Sequence, residues 1–208
     1  MLDILNYKEM DYYLYKPDDF NESNKYPLIV FLHGAGEREK IEHTIWHGPI
    51  NSIKKGMKIN AVILAPHCAK DDLWMNYYER VDELVDIYRN KKYIDIDRVS
   101  LTGLSMGGYA SFDVAMMHQE YYSCLMPVCG GGKPFARYYL INLKIKIVHG
   151  DKDSIVDVSE SIKMYNALKE IGADVELVIH EGFDHNVWDI TYDDVSNISW
   201  LIGTKKEH

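Results

Sequence analysis

The sequence predicts an α/β fold, with a mostly parallel central sheet covered by helices on both faces. Continuously apolar segments such as 28–32 and 61–65 have the length and composition of strands that are buried on both sides. They alternate with segments whose apolar residues recur at helical spacing. This alternation is typical of parallel sheets joined by right-handed crossovers.

Seven strands and five helices are predicted in chain order. The strands are 10–16, 28–32, 61–65, 99–102, 124–129, 145–149 and 175–180. The helices are 48–55, 75–90, 107–117, 158–171 and 192–202. The helix 75–90 is predicted from apolar residues at spacings of three and four, and Gly172 is expected to end the helix 158–171. No linker, repeat or low-complexity segment interrupts the chain, so one domain spanning 1–208 is expected.

Composition excludes some classes of partner. The chain has 23 basic and 32 acidic residues and a net charge of −9, which disfavours nucleic acid and anionic membrane surfaces. The N-terminus lacks the pattern of a signal peptide, and no apolar run is long enough for membrane insertion. Cys68, Cys124 and Cys129 are an odd set without close spacing. We therefore expect reduced, buried thiols in a cytoplasmic protein, whose oligomeric state stays unknown.

The segment 99–108 contains the main chemical motif. An apolar strand leads into Gly103-Leu-Ser-Met-Gly107, and a helical pattern follows. Glycines two residues either side of Ser105 let strand and helix backbones pass closely, as in a nucleophile elbow. The alternative is a glycine-rich strand–helix turn that holds a phosphate.

A nucleophilic serine needs a base and an orienting acid on later loops. Asp153 follows the strand 145–149, and His185 follows the strand 175–180, which gives the chain order Ser, Asp, His. Asp151 competes with Asp153 for the acid, and Asp157 and Asp184 are weaker candidates. His149 precedes the acid loop and is interpreted as structural.

An oxyanion hole needs two backbone N–H donors. Met106, directly after the serine, supplies one. The other is expected from the small residues that follow the strand 28–32, with Ala35 as the first choice and Gly36 as the nearby alternative. His33 ends that strand and is expected to organise the loop.

Further segments accompany these motifs: 32–37 (LHGAGE), 65–68 (APHC) with Trp74, 97–98 (DR), 101–109 (LTGLSMGGY), 127–132 (PVCGGG), 149–156 (HGDKDSIV), and His185 with Trp188. Together they resemble serine esterases of the α/β-hydrolase fold. The resemblance is closest to the phospholipase/carboxylesterase and dienelactone-hydrolase-like group and to bacterial predicted-peptidase or feruloyl-esterase-like proteins. It implies that Ser105 is the nucleophile, Asp153 the acid and His185 the base. Asp157 departs from the proline that relatives often carry there.

The expected activity is hydrolysis of carboxylic esters through an acyl-enzyme, without a metal or other cofactor. No insertion is long enough for a large lid, so a compact protein acting on short or exposed acyl esters is expected. Trp74, Tyr109 and Trp188 are candidate pocket walls, with core packing as the equal alternative. A small serine peptidase or thioesterase would share the residues. A non-catalytic binding protein on this fold is a further alternative, disfavoured by the intact Ser, Asp and His set.

Overall fold

In the computed structural model, which describes residues 1–206, eight strands form one sheet. The strands are β1 (Leu2–Tyr7), β2 (Met10–Tyr15), β3 (Tyr26–Leu32), β4 (Val62–Pro66), β5 (Ile94–Leu104), β6 (Cys124–Val128), β7 (Lys144–Gly150) and β8 (Val175–His180). Their order across the sheet is β1-β2-β4-β3-β5-β6-β7-β8. The six strands from β3 to β8 run parallel, and β2 is antiparallel to both of its neighbours, β1 and β4. The predicted mostly parallel sheet is confirmed.

Helices cover both faces of this sheet. They are α1 (Gly48–Lys54), α2 (Tyr78–Arg89), α3 (Met106–Met117), α4 (Ser159–Glu170), α5 (Trp188–Tyr192) and α6 (Val195–Gly203). On one face α2, α3 and α4 bury residues such as Leu84, Phe112 and Met164. On the other face α1, α5 and α6 bury Ile50, Tyr192 and Leu201. Each strand of the parallel part contributes to both cores, which explains why β3, β4 and β6 are continuously apolar.

The register of the parallel strands brings their carboxyl ends to one edge. Leu32 at the end of β3 pairs with Gly103 near the end of β5, and Gly150 of β7 pairs with His180 of β8. Loops that follow these strands therefore meet at the same edge, where open α/β sheets bind their ligands. This edge carries the site described below.

Three elements differ from the sequence-based prediction. Strand β1 was missed because its hairpin turn is formed by Lys8 and Glu9 at φ 47° and 65°, without the glycine or asparagine that marks such turns. Strand β5 begins at Ile94 rather than residue 99. The last predicted helix is two helices, and α6 begins afresh because the Asp194 side chain accepts a hydrogen bond from the backbone N–H of Ser196.

The connection between β6 and β7 covers only residues 129–143. It contains a 3₁₀ helix, Pro134–Leu140, that packs on α3 and α4, so the expected absence of a large insertion at this position agrees with the structure. Within the described part of the chain, no helix is both long and apolar enough to cross a bilayer. The three cysteines are buried and unpaired, as predicted.

Candidate active site

Ser105 occupies a strained turn between β5 and α3. Its backbone has φ 53° and ψ −116°, and its N–H donates a 2.9 Å hydrogen bond to the carbonyl oxygen of Val128. A Cβ at Gly103 would run into the carbonyl oxygen of Gly107, and one at Gly107 would run into that of Leu32. Glycine is therefore required at both positions, and a strained non-glycine residue is typical of functional sites.

His185 bridges Ser105 and Asp153. Its Nε2 lies 2.8 Å from Ser105 Oγ, and its Nδ1 lies 2.7 Å from Asp153 Oδ2. The three residues come from the ends of three different strands and are brought together at the carboxyl edge of the sheet. An imidazole in this position can take a proton from the serine hydroxyl while the carboxylate fixes its tautomer.

The Asp153 side chain is buried, and both oxygens of its carboxylate have hydrogen-bond donors. Oδ1 accepts hydrogen bonds from the backbone N–H groups of Ile155 (2.9 Å) and Val156 (2.8 Å). Burial by itself raises the pKa of this carboxyl, but the hydrogen bonds from His185 and from these two amides outweigh it and leave the pKa below its ordinary value. The group is therefore ionised at neutral pH.

The other candidate acids hold the surrounding loops. Asp151 Oδ1 accepts a 2.6 Å hydrogen bond from Gly182 N, and Asp157 Oδ1 accepts one from Ser159 N. Asp184 Oδ1 accepts from the backbone N–H of Ser154 and of His185, so it ties the loop after β7 to the loop after β8. Of the four acids considered from the sequence, Asp153 is the one that contacts the His185 ring.

The loop after β3 presents backbone amides at the same edge. Ala35 begins a 3₁₀ helix, Ala35–Glu37, and both Ala35 and Gly36 are exposed. The Arg38 guanidinium donates a 3.0 Å hydrogen bond to the Ala35 carbonyl oxygen, which fixes the start of this turn. Met106 is the first residue of α3. Amides at these places are suited to stabilise a developing oxyanion.

His33 and Trp74 support this loop from inside the molecule. The buried His33 ring donates from Nδ1 to the Gly34 carbonyl oxygen (2.7 Å), and its Nε2 accepts from Cys68 N (2.9 Å). Burial lowers the pKa of His33 to about 3, so the ring is neutral. Trp74 donates from Nε1 to the His33 carbonyl oxygen and is only 2% exposed. Its location matches the core-packing alternative and not a pocket wall.

Trp188 and Tyr109 have different places near the site. The Trp188 ring is perpendicular to that of His185, with centroids 5.3 Å apart, and lies 5.2 Å from His47. Tyr109 lies in the first turn of α3, partly buried, where a Cβ at Gly131 would meet its ring. Trp188 therefore contacts the His185 ring, and Tyr109 lies one helical turn after Ser105; their role as pocket walls stays a prediction.

Two buried groups had no role in the sequence-based interpretation. Glu37 is 5% exposed, its Oε2 lacks a hydrogen-bond partner among residues 1–206, and its Oε1 lies 3.6 Å from His47 Nε2. Cys129 lies with Asp153 and His185 in a group whose potential ligand atoms are within 4.8 Å of one another. Burial raises the pKa of the Cys129 thiol, and the other two residues are already hydrogen-bonded to each other, so the group fits a metal ion poorly.

The sequence of this chain matches that of a known family. The sequence profile of the phospholipase/carboxylesterase family matches residues 59–199. A thermostable esterase of known structure is 28% identical, with a TM-score of 0.80 over 99% of this chain and 63% of that one. The chain thus spans about 63% of the length of that esterase.

More distant structures share the fold alone. The feruloyl esterase module from Clostridium thermocellum, solved with sinapinate, is 15% identical, with a TM-score of 0.76 over 100% of this chain and 89% of that one. The acylaminoacyl peptidase from Pyrococcus horikoshii is also 15% identical, with a TM-score of 0.75 over 100% of this chain and 42% of that one.

Proposed function

The chain belongs to the phospholipase/carboxylesterase family, and on that premise we propose that it is a serine esterase that hydrolyses carboxylic esters through an acyl-enzyme. The observation that carries the proposal is the bridge that His185 forms from Ser105 Oγ (2.8 Å) to Asp153 Oδ2 (2.7 Å). Ser105 is the nucleophile, His185 the general base and Asp153 the orienting acid.

In acylation, Ser105 Oγ attacks the ester carbonyl carbon while its proton passes to His185 Nε2. The carbonyl oxygen gains negative charge, which the amides of Ala35 and Met106 stabilise, with Gly36 as the alternative donor in the same turn. As the tetrahedral intermediate collapses, the bond to the alcohol oxygen breaks, and His185 returns its proton to that oxygen.

In deacylation, His185 takes a proton from water, whose oxygen attacks the acyl carbon. Collapse of the second intermediate releases the carboxylic acid and returns the proton to Ser105 Oγ. Asp153 remains ionised throughout and stabilises the imidazolium that forms in each half-reaction. No step of this cycle needs a metal or an organic cofactor.

The proposed substrate is a small molecule with a short or exposed acyl group. The short connection after β6 and the exposed residues Ala35 and Gly36 support an open site, bordered by Trp188 and Tyr109. Two cavities of about 590 and 490 Å³ are lined by other residues, around Leu143 and around Met57. Neither is lined by Ser105, His185 or the loop after β3.

A peptidase or thioesterase would use the same three residues, because acyl transfer to serine is common to all three reactions. The acylaminoacyl peptidase shares the fold, so amide substrates belong in any test. A cytoplasmic location, a single domain and the absence of nucleic-acid partners stay predictions from the sequence.

The decisive experiment measures hydrolysis of p-nitrophenyl esters of graded acyl length, with a matched thioester and anilide. We expect the highest kcat/KM on the shorter esters and a loss of about 10³-fold or more in Ser105→Ala. Ser154→Ala is the matched control, since its hydroxyl bonds Asp184 and not His185. Equal turnover by wild type and Ser105→Ala, or preference for the anilide or thioester, would contradict the proposal.

A further inference from the structure

A second histidine contacts the aspartate of the proposed triad. His149, the penultimate residue of β7, is completely buried, and its Nε2 lies 3.0 Å from Asp153 Oδ2. The same oxygen lies 2.7 Å from Nδ1 of His185. Two imidazole rings therefore flank a single carboxylate oxygen, one from the β7 strand and one from the loop after β8.

The hydrogen bonds of the His149 ring show which nitrogen carries a proton. Nε2 lies 2.9 Å from the Val156 carbonyl oxygen and 3.0 Å from Asp153 Oδ2, and both atoms can only accept. Nδ1 lies 2.7 Å from Ser161 Oγ, and that hydroxyl can either donate to the ring or accept from it. Nε2 is therefore protonated whichever way the hydroxyl points.

We propose that His149 is a positioning residue for the reaction: its Nε2–H, shared between Val156 and Asp153, fixes the carboxylate that orients His185. The inference rests on the triad proposed above. His149 does not touch the substrate and acts through Asp153 alone.

The surroundings of His149 suit this role. On its far side Ser161 of α4 contacts Nδ1 and also lies 2.9 Å from the Gly130 carbonyl oxygen, after β6. The ring thus joins β7, α4, the segment after β6 and the acid loop. Asp153 has two amide donors on Oδ1 and two ring nitrogens near Oδ2, so its carboxylate has no room to rotate away from His185.

His149 also affects how much of the Asp153 carboxylate charge faces His185. A proton donor beside Asp153 Oδ2 draws part of the carboxylate charge away from the His185 imidazolium. The other titratable groups around Asp153 and His149 are His185, Asp184, Cys129, Tyr109 and Glu160 near the triad, and the exposed Asp157 near His149. Removing the His149 donor therefore moves the acid limb of the kcat/KM profile to higher pH.

Three variants test the proposal against a purely structural role. His149→Leu removes the donor, whereas His149→Gln keeps an N–H group near the position of Nε2. Ser161→Ala is the matched control, because it removes the partner of Nδ1 and leaves Asp153 untouched. Each is assayed on the best ester for kcat, KM and the pH profile, alongside its Tm.

We expect His149→Leu to lower kcat by about tenfold or more with little change in KM, and to raise the acid limb by about half a pH unit. His149→Gln should recover most of kcat and restore the wild-type limb. Ser161→Ala should lower Tm with the acid limb unmoved. An unmoved or lowered limb in a folded His149→Leu, or no recovery in His149→Gln, overturns the proposal.

A measurement on the wild-type protein covers the case in which His149→Leu does not fold. Nitrogen-15 spectra of histidine-labelled protein should show a protonated Nε2 on His149, and an unprotonated Nε2 overturns the proposal. This spectrum needs no substrate, so absence of ester turnover would refute the proposed function and leave the His149 result to be read separately.

Discussion

Two fully buried histidines lie at the ends of parallel strands at the site edge, and their partners give them different roles. His33 directly follows β3, where its Nε2 accepts a hydrogen bond from Cys68 N and its Nδ1 donates one to the Gly34 carbonyl oxygen. His149 is the penultimate residue of β7, and its Nε2 faces a carbonyl and a carboxylate oxygen. The neutral His33 ring joins two loops, and the His149 ring donates a hydrogen bond next to the charged Asp153.

The difference teaches that a buried strand-end histidine cannot be interpreted from its position alone. Near His33 the ring nitrogens face backbone groups, and burial keeps its pKa at about 3. Near His149 the ring Nε2 faces an oxygen of the ionised Asp153, which can only accept a hydrogen bond. Substitutions of His33 or its partners should therefore affect the shape of the loop after β3. Substitutions of His149 or Asp153 should affect proton transfer through His185.

The largest expected effect is on kcat and comes from changing Asp153, the carboxylate beside His149. Asp153→Asn should lower kcat by about 10³- to 10⁴-fold, since an amide no longer fixes the Nδ1–H tautomer or stabilises the imidazolium. Asp151→Asn is the matched control and should stay within severalfold of wild type, because Asp151 bonds Gly182 and not His185. Steady-state kinetics with p-nitrophenyl esters measure both. Greater damage from Asp151→Asn would reassign the acid.

A smaller effect is expected from the His33 side. His33→Gln keeps an acceptor for Cys68 N but loses the donor to the Gly34 carbonyl, so the loop with Ala35 should loosen and kcat fall by about tenfold. Because His33 does not titrate between pH 5 and 9, the acid limb of kcat/KM should not move. A shift of the acid limb in His33→Gln would contradict the proposed difference in role between His33 and His149.

The smallest expected effect is on stability and concerns Glu37, which lies in the loop after β3. Burial raises the pKa of Glu37 above its ordinary value of 4.5, so folding favours its protonated form. Its contribution to stability is fully present below pH 4.5 and is lost as pH rises through the raised folded pKa. Glu37→Gln removes this titration, so the wild type should lose stability relative to the variant between acid and neutral pH.

Urea unfolding of both proteins at several pH values measures that difference. Glu39→Gln is the control. Glu39 lies on the same loop as Glu37 and forms an exposed ion pair with Lys70, which follows β4. Its difference profile should be small, since exposed pairs are screened by water and salt. A wild-type stability that rises relative to Glu37→Gln with pH would show that the His47 ion pair outweighs the burial of Glu37.

Most of the parallel core was predictable from the sequence because β3, β4 and β6 are continuous apolar runs and the other strands carry short runs of β-branched or apolar residues. The segment 28–32 became the centre of β3, and 175–180 became β8 without change of bounds. Strand β1 was not predictable, because its turn residues Lys8 and Glu9 adopt positive φ without a sequence signal. Pairing with β2 stabilises that turn.

The candidate site was predictable at the level of residue type and chain order. Glycine spacing around Ser105 and loop positions of Asp153 and His185 follow from local sequence, because each is set by a strand end. Trp74 shows the limit: an aromatic residue after β4 can either line a pocket or support a loop. The tertiary structure decided for support, since the Trp74 indole lies inside against the His33 carbonyl.

By itself the sequence determined the parallel sheet, the elbow and the order of its partner residues, since these depend on short-range patterns of apolar residues and glycines. Only the tertiary structure decided which of the acids reaches His185 and what each buried histidine does. Those choices depend on hydrogen bonds between strands and loops far apart in the chain, such as Asp153 with His185 and His33 with Cys68. The orientation of a ring nitrogen is fixed by its partners, and no local pattern encodes them.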